Sequence, residues 1–113
     1  MKEKDAIKAL SALAQSTRLS IFRRLVIAGP EGLSVGVIQE ALDLASATLS
    51  FHLKELAHAG LVSSRQEGRF VYYVPEIKHM NSLIDFLTEN CCQGADTAAC
   101  QPATKAKCKT VAA

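Results

Sequence analysis

LASATLSFHLKELAHAGLV, residues 44–62, is the stretch that decides the fold. Leu49, Leu53, Leu56 and Ala57 fall on one stripe at helical spacing, and Gly60 follows as a stop signal. That pattern predicts a helix from about Ser46 to Ala59 with its apolar stripe turned inward. Just upstream, Ser34 can cap a shorter helix carrying Val35, Ile38 and Leu42 at i, i+3 and i+7. Only Asp43-Leu44-Ala45 separates the two. Two short helices joined by so tight a turn make a helix-turn-helix.

Downstream, Leu61 to Gln66 and Phe70 to Val74 are β-rich and hinge on Glu67-Gly68-Arg69, which predicts a hairpin. Pro75 ends its second strand. Met80, Leu83, Ile84 and Leu87 then define a last helix reaching about Cys91, with Gly94 to close it. Upstream, Ile7, Leu10 and Leu13, with Ala6 and Ala14, mark a first helix over about Lys4 to Ala14. Ser16 is placed to cap a second, whose Leu19, Phe22, Leu25 and Val26 face one side until Gly29-Pro30. The fold class expected is mainly α (α+β), a winged helix-turn-helix of about five helices and a two-stranded hairpin wing.

A chain of 113 residues, 49% hydrophobic, supports one compact domain. We place it at residues 1–92. From 93 to 113 the composition shifts to Ala, Thr, Lys, Gln and Pro102 without a periodic apolar face, so a flexible tail is expected. No run of 18 apolar residues occurs and the N-terminus lacks a signal-peptide pattern, so no membrane association and a cytoplasmic location are expected. The net charge of +2 lies wholly in the tail, because residues 1–92 carry ten basic and ten acidic side chains. Any nucleic-acid binding must therefore come from a shaped, locally basic surface rather than from bulk charge.

Such a surface is available opposite the leucine stripe. Ala47, Ser50, Phe51, Lys54 and His58 share the outer half of the 46–59 helix, and its early residues, Ser46, Ala47 and Thr48, are small or polar. Small side chains let the backbone approach base edges, and serine hydroxyls can donate to bases or phosphates. Lys54 suits a phosphate. Phe51 either meets a thymine methyl or tilts into a crevice. His52 lies nearer the buried edge, where a packing role is favoured, although it stays among the candidate DNA contacts. Arg65 and Arg69 flank Gly68 at the hairpin tip, where a wing enters or straddles the minor groove.

The run from Leu33-Ser34-Val35 through Ser50-Phe51-His52-Leu53-Lys54-Glu55-Leu56, with His58-Ala59-Gly60-Leu61-Val62 and Glu67-Gly68-Arg69-Phe70-Val71-Tyr72-Tyr73, resembles the ArsR/SmtB family of metalloid- and metal-sensing repressors. The match covers about residues 5–92. The resemblance implies a homodimer packed through its first and last helices, with two reading helices on a pseudo-palindromic double-stranded operator. Ile7, Leu10, Leu83, Ile84 and Leu87 are the candidate interface.

All four cysteines, Cys91, Cys92, Cys100 and Cys108, fall within the last 23 residues. In a reducing compartment such a cluster suits metal or redox chemistry better than a disulfide framework. The Cys-Val-Cys core that many family members carry is replaced here by Ser34-Val35-Gly36. On the last helix, His79, Asp85 and Glu89 have the spacing of a solvated face rather than a zinc site. Cys91 and Cys92 are adjacent, and the eight residues that lead on to Cys100 give ample reach at ~3.3 Å per residue.

Three thiolates suit the pyramidal bonding of As(III), whereas zinc prefers four ligands, a set that Cys108 could complete for Zn, Cd or Pb. The run Glu89-Asn90-Cys91-Cys92-Gln93-Gly94 is similar to the C-terminal arsenite site of one branch of the family. That resemblance implies As(III) as inducer, Sb(III) or another soft metal being possible, held by Cys91, Cys92 and Cys100 with Cys108 auxiliary. An oxidation switch and a thiol-based metal storage or delivery protein use the same residues. An enzyme has little support, since no anion-cradling glycine loop and no Cys-x-x-Cys are present.

Overall fold

The computed structural model describes residues 1–91. Its helices are α1 (Glu3–Leu13), α2 (Ser16–Ala28), α3 (Val35–Leu42), α4 (Ser46–His58) and α5 (Ile77–Thr88). The strands are β1 (Leu33–Ser34), β2 (Val62–Glu67) and β3 (Phe70–Pro75), and a single 3-10 turn, Gly29–Glu31, follows α2. The architecture is a winged helix-turn-helix.

The core forms where α2 and α4 cross. Ile21, Phe22 and Leu25 of α2 meet Leu49, Leu53 and Leu56 of α4, and Ile38, Leu61, Val62 and Leu83 close the cluster. Leu49 and Leu56 are fully buried and Leu53 is 2% exposed, as their stripe requires. Ala57, expected on that stripe, is exposed; His52 occupies the buried angle instead. In α1 the buried residues are Ala6, Ala9 and Ala12, while Ile7 and Leu10 point outward. A row of alanines lets the α1 backbone lie close to the core, and its larger apolar side chains are left for another partner.

Two helix boundaries differ from expectation, each for a local reason. Gln15, not Ser16, caps α2, its side-chain oxygen accepting from the Arg18 N–H at 2.9 Å. The last helix ends at Thr88 rather than near Cys91: Glu89 is extended and Asn90 sits at φ +64°. Thr88 Oγ1 donates to the Ile84 carbonyl at 2.9 Å, a back-bond that competes with the last turn. Ser34 does cap α3, accepting from the Val37 N–H at 3.3 Å.

The wing is larger than a hairpin. β2 and β3 pair antiparallel with Val62 opposite Pro75 and Glu67 opposite Phe70, and Gly68 at φ +62° opens the two-residue loop. β1 adds a third strand, Leu33 opposite Tyr73 and Ser34 opposite Tyr72, giving the order β1-β3-β2. A two-residue strand carries almost no sequence signal of its own. It ties the entry of α3 directly to the wing.

Gly32 makes that junction possible. Its φ is +73°, and a Cβ there would strike the Tyr73 carbonyl oxygen and lie 2.6 Å from Val74 Cγ1. Gly32→Ala is expected to destabilise the protein by about 2–4 kcal/mol, the combined cost of left-handed strain and a steric clash. Urea unfolding followed by circular dichroism checks it, with Gly29→Ala, where open space surrounds the new methyl, as the milder control.

Candidate nucleic-acid interface

Helix α4 is presented so that one face is anchored and the other is open. Ser46, Ala47, Thr48, Ser50, Phe51, Lys54 and His58 are all exposed, matching the face expected from periodicity. Its N-cap, Ala45, supplies no side-chain bond to the first-turn amides. Those N–H groups look to solvent or to a bound anion for partners, and the helix dipole favours an anion there. Small side chains at 45–48 leave that end sterically open. The turn before it is set by Asp43 in the left-handed region (φ +53°) and by the Leu44 N–H returning to the Gln39 carbonyl at 3.3 Å.

Phe51 stays on the outer face at 56% exposure, and its ring makes an edge-to-face contact with the His52 imidazole at 5.4 Å between centroids. His52 departs from the candidate set. It is buried to 8% exposure and is the buried polar side chain of the core, so it is not presented to a groove. Its Nδ1 lies 3.2 Å from Arg18 Nη1, and Arg18 Nε donates to the Ala12 carbonyl at 2.7 Å. A guanidinium is always a donor, so Nδ1 must be the acceptor and the imidazole proton must sit on Nε2. Burial first, then the Arg18 charge, push the His52 pKa below its ordinary value, with Glu55 acting the other way. Sequence reasoning flagged His52 as a packing residue but missed Arg18. Nothing in the spacing pairs residues 34 apart; the only clue was that a buried imidazole must find a partner.

The two wing arginines differ in the same way. Arg69, at the tip, is exposed and without a side-chain partner among the described residues. Arg65 is held by three contacts. It pairs with Glu67 at 2.7 Å, donates through Nη2 to the Glu31 carbonyl at 3.1 Å, and stacks over the Tyr72 ring at 5.1 Å. It braces the wing against the turn after α2. These contacts are solvent-exposed, so each contributes little.

Of the expected dimer residues, Ile7, Leu10 and Leu87 are exposed at 55%, 41% and 56%, and Ile84 is half-buried. Leu83 must be withdrawn from that set: at 2% exposure it belongs to the subunit's own core, packed inward from α5. Cys91 is half-buried in the turn after α5, its N–H donating to the Thr88 carbonyl at 3.0 Å. Cys92, Cys100 and Cys108 lie outside the described residues. Among the described residues no three His, Cys, Asp or Glu side chains come together as a metal site. The Ser34 hydroxyl is used as the α3 cap. No helix among the described residues is long and apolar enough to cross a membrane.

Replacing Arg65 with alanine should loosen the wing without unfolding the body. Amide exchange in residues 62–75 is expected to rise by up to about fivefold, equivalent to roughly 1 kcal/mol, with core amides of α2 and α4 unchanged. Exchange monitored by mass spectrometry separates the two regions.

Comparison with known proteins agrees with this geometry. A helix-turn-helix domain family model matches residues 13–65. The transcriptional activator HlyU of Vibrio cholerae is 35% identical over 94 residues, covering 80% of this chain and 84% of that protein. Its solved structure superposes with a TM-score of 0.60 over 77% of this chain and 97% of that one. A putative arsenical resistance operon repressor of Halobacterium salinarum is 42% identical over 67 residues, 59% of this chain and 51% of that protein. The homodimeric winged helix-turn-helix DNA-binding domain Mb0332 of Mycobacterium bovis, a possible ArsR-family regulator, is 26% identical with a TM-score of 0.60, covering 77% and 81%. With its open reading helix, braced wing and these relatives, the chain belongs to the ArsR family of winged helix-turn-helix, DNA-binding transcriptional regulators.

Proposed function

We propose that the protein is a repressor that binds operator DNA as a homodimer and releases it when its C-terminal thiolates capture arsenite. The observation that carries the sensing half is the cysteine distribution: none in residues 1–90 and four in the last 23. Cys91 begins that run where α5 ends, so ion capture by Cys91, Cys92 and Cys100, with Cys108 auxiliary, would act on the helix beside the subunit contact. As(III) fits three sulfur donors in a pyramid, and Sb(III) shares that preference.

Homodimerisation is supported by the outward apolar residues Ile7 and Leu10 on α1 and Leu87 on α5, elements that touch one another in the subunit. It is also supported by the homodimeric M. bovis relative. A two-fold axis through this patch would present two α4 helices to successive major grooves. Ser46, Ala47, Thr48, Ser50 and Phe51 then face base edges, while Lys54 and Arg69 neutralise phosphates or enter the minor groove. Arg65 acts chiefly by holding the wing. Repression is part of the proposal, since HlyU is named an activator and the Halobacterium protein a putative repressor.

Release need not be structurally large. Coupling between separated sites is commonly ~1–3 kcal/mol, and near-complete release asks for about 5.5 kcal/mol, which two symmetric sites approach together. In a mobility-shift titration arsenite is expected to free the DNA, and the double variant Cys91→Ser, Cys92→Ser to bind DNA but ignore arsenite. An undiminished response in that variant would sink the assignment. Repeating the titration with Sb(III), Cd(II), Pb(II), Zn(II) and peroxide identifies the inducer and separates ion capture from oxidation.

Salt dependence tests the DNA contacts. Removing Arg69 or Lys54 with alanine should lower the slope of log affinity against log salt by about 0.9 for each phosphate lost, twice that per dimer. Ser50→Ala should weaken the selected sequence while leaving that slope unchanged.

A further inference from the structure

We propose that Arg18 is a positioning residue for DNA binding: through a neutral His52 it ties the reading helix to the last turn of α1, so operator affinity depends on that imidazole staying unprotonated. The inference rests on the DNA-binding role of α4 and adds the element that holds α4 in place.

Three elements meet at one guanidinium. Arg18 lies in the first turn of α2, its Nε donates to the Ala12 carbonyl near the end of α1, and its Nη1 reaches His52 in the middle of α4. Gln15 holds the Arg18 backbone from below through its 2.9 Å bond. The side chains that otherwise pack α4 against α2 are apolar, and apolar packing permits small slides that a directional hydrogen bond resists. His52 is also the neighbour of Phe51, whose ring is in edge-to-face contact with the imidazole while exposing more than half of its surface on the reading face. A shift of the imidazole therefore moves a side chain on that face.

The tie exists in one protonation state. Neutral His52 offers a lone pair at Nδ1; protonation replaces it with an N–H and sets a cation 3.2 Å from the guanidinium. Besides Arg18 itself, three charged or titratable groups lie beside the pair. Arg18 comes from α2 and Glu55 from α4, while Lys8 of α1 and His58 of α4 line the adjoining depression with Arg18 and Glu55. Glu55 alone favours the protonated form. Because the His52 pKa is lowered in the folded chain, the stabilisation is complete above the ordinary histidine value of about 6.5 and is lost as pH falls through the lower native value.

The test uses the full, reduced chain and a duplex of about 30 bp enriched from a random pool by the wild-type protein. Affinity is read by fluorescence anisotropy between pH about 7.5 and 5.5 for wild type, His52→Gln and Arg18→Met. Glutamine can accept the same bond without titrating, so wild type should lose about fivefold or more in affinity relative to His52→Gln on acidification. His58 is common to both and cancels. Arg18→Met should bind roughly five- to tenfold more weakly at pH about 7.5 with an unchanged salt slope, and should lose the pH response. Parallel pH curves for wild type and His52→Gln would overturn the proposal. So would a salt slope that falls in Arg18→Met, because Arg18 would then be a phosphate contact. Thermal melting of the same proteins over this pH range tests the tie without DNA: wild type should lose more stability than Arg18→Met on acidification, and equal losses would overturn it.

Discussion

Everything in this molecule depends on how α4 is seated. Its three leucines, Leu49, Leu53 and Leu56, are driven against Ile21 and Leu25 of α2, and burying each contributes about 1.5–3 kcal/mol. That seating leaves the opposite half of the helix without any packing duty. Small and polar residues there cost the fold almost nothing, which is what frees the face for a second macromolecule. The same helix thus serves stability on one side and, in the proposed function, recognition on the other.

Around that seat the structure spends its polar contacts on orientation. Arg18 fixes α4 relative to α1 and α2, and Arg65 fixes the wing relative to the turn after α2. The two-residue strand β1 fixes the start of the helix-turn-helix relative to the wing. Each is a weak interaction in water, and the stability they supply is small beside the leucine core. Their value is geometric: a reader of DNA has to hold a helix and a wing at a set separation, and side-chain burial alone does not define an angle.

The α1 helix shows the same division of labour. Ala6, Ala9 and Ala12 allow a close approach to the body, while Ile7 and Leu10 stand outside with Leu87 of α5. A monomer in water gains nothing from such an outer stripe, and the proposed homodimer would give these residues a partner. Since the carbonyl of Ala12 also receives Arg18, the outer helix and the reading helix are mechanically adjacent.

Much of this was legible in the sequence. The leucine period, the short turn at Asp43-Leu44-Ala45 and the Gly68 hinge each act within a few residues of themselves, and local rules read local causes. The exposed face of α4 followed from the same arithmetic. What sequence could not supply were contacts between positions far apart in the chain. The pairing of β1 with β3, the meeting of Arg18 with His52 and the bracing of Arg65 by Glu31 all arise from the crossing of elements. For the same reason Leu83, equal to its neighbours in periodicity, proved to be core, and the end of α5 moved back to Thr88. Sequence by itself determined the five helices, the two strands of the hairpin and which face of α4 is open, because those are decided by side-chain period and turn residues. Tertiary structure alone decided which polar groups hold them at fixed angles, because a buried donor takes whichever acceptor the packing brings within reach.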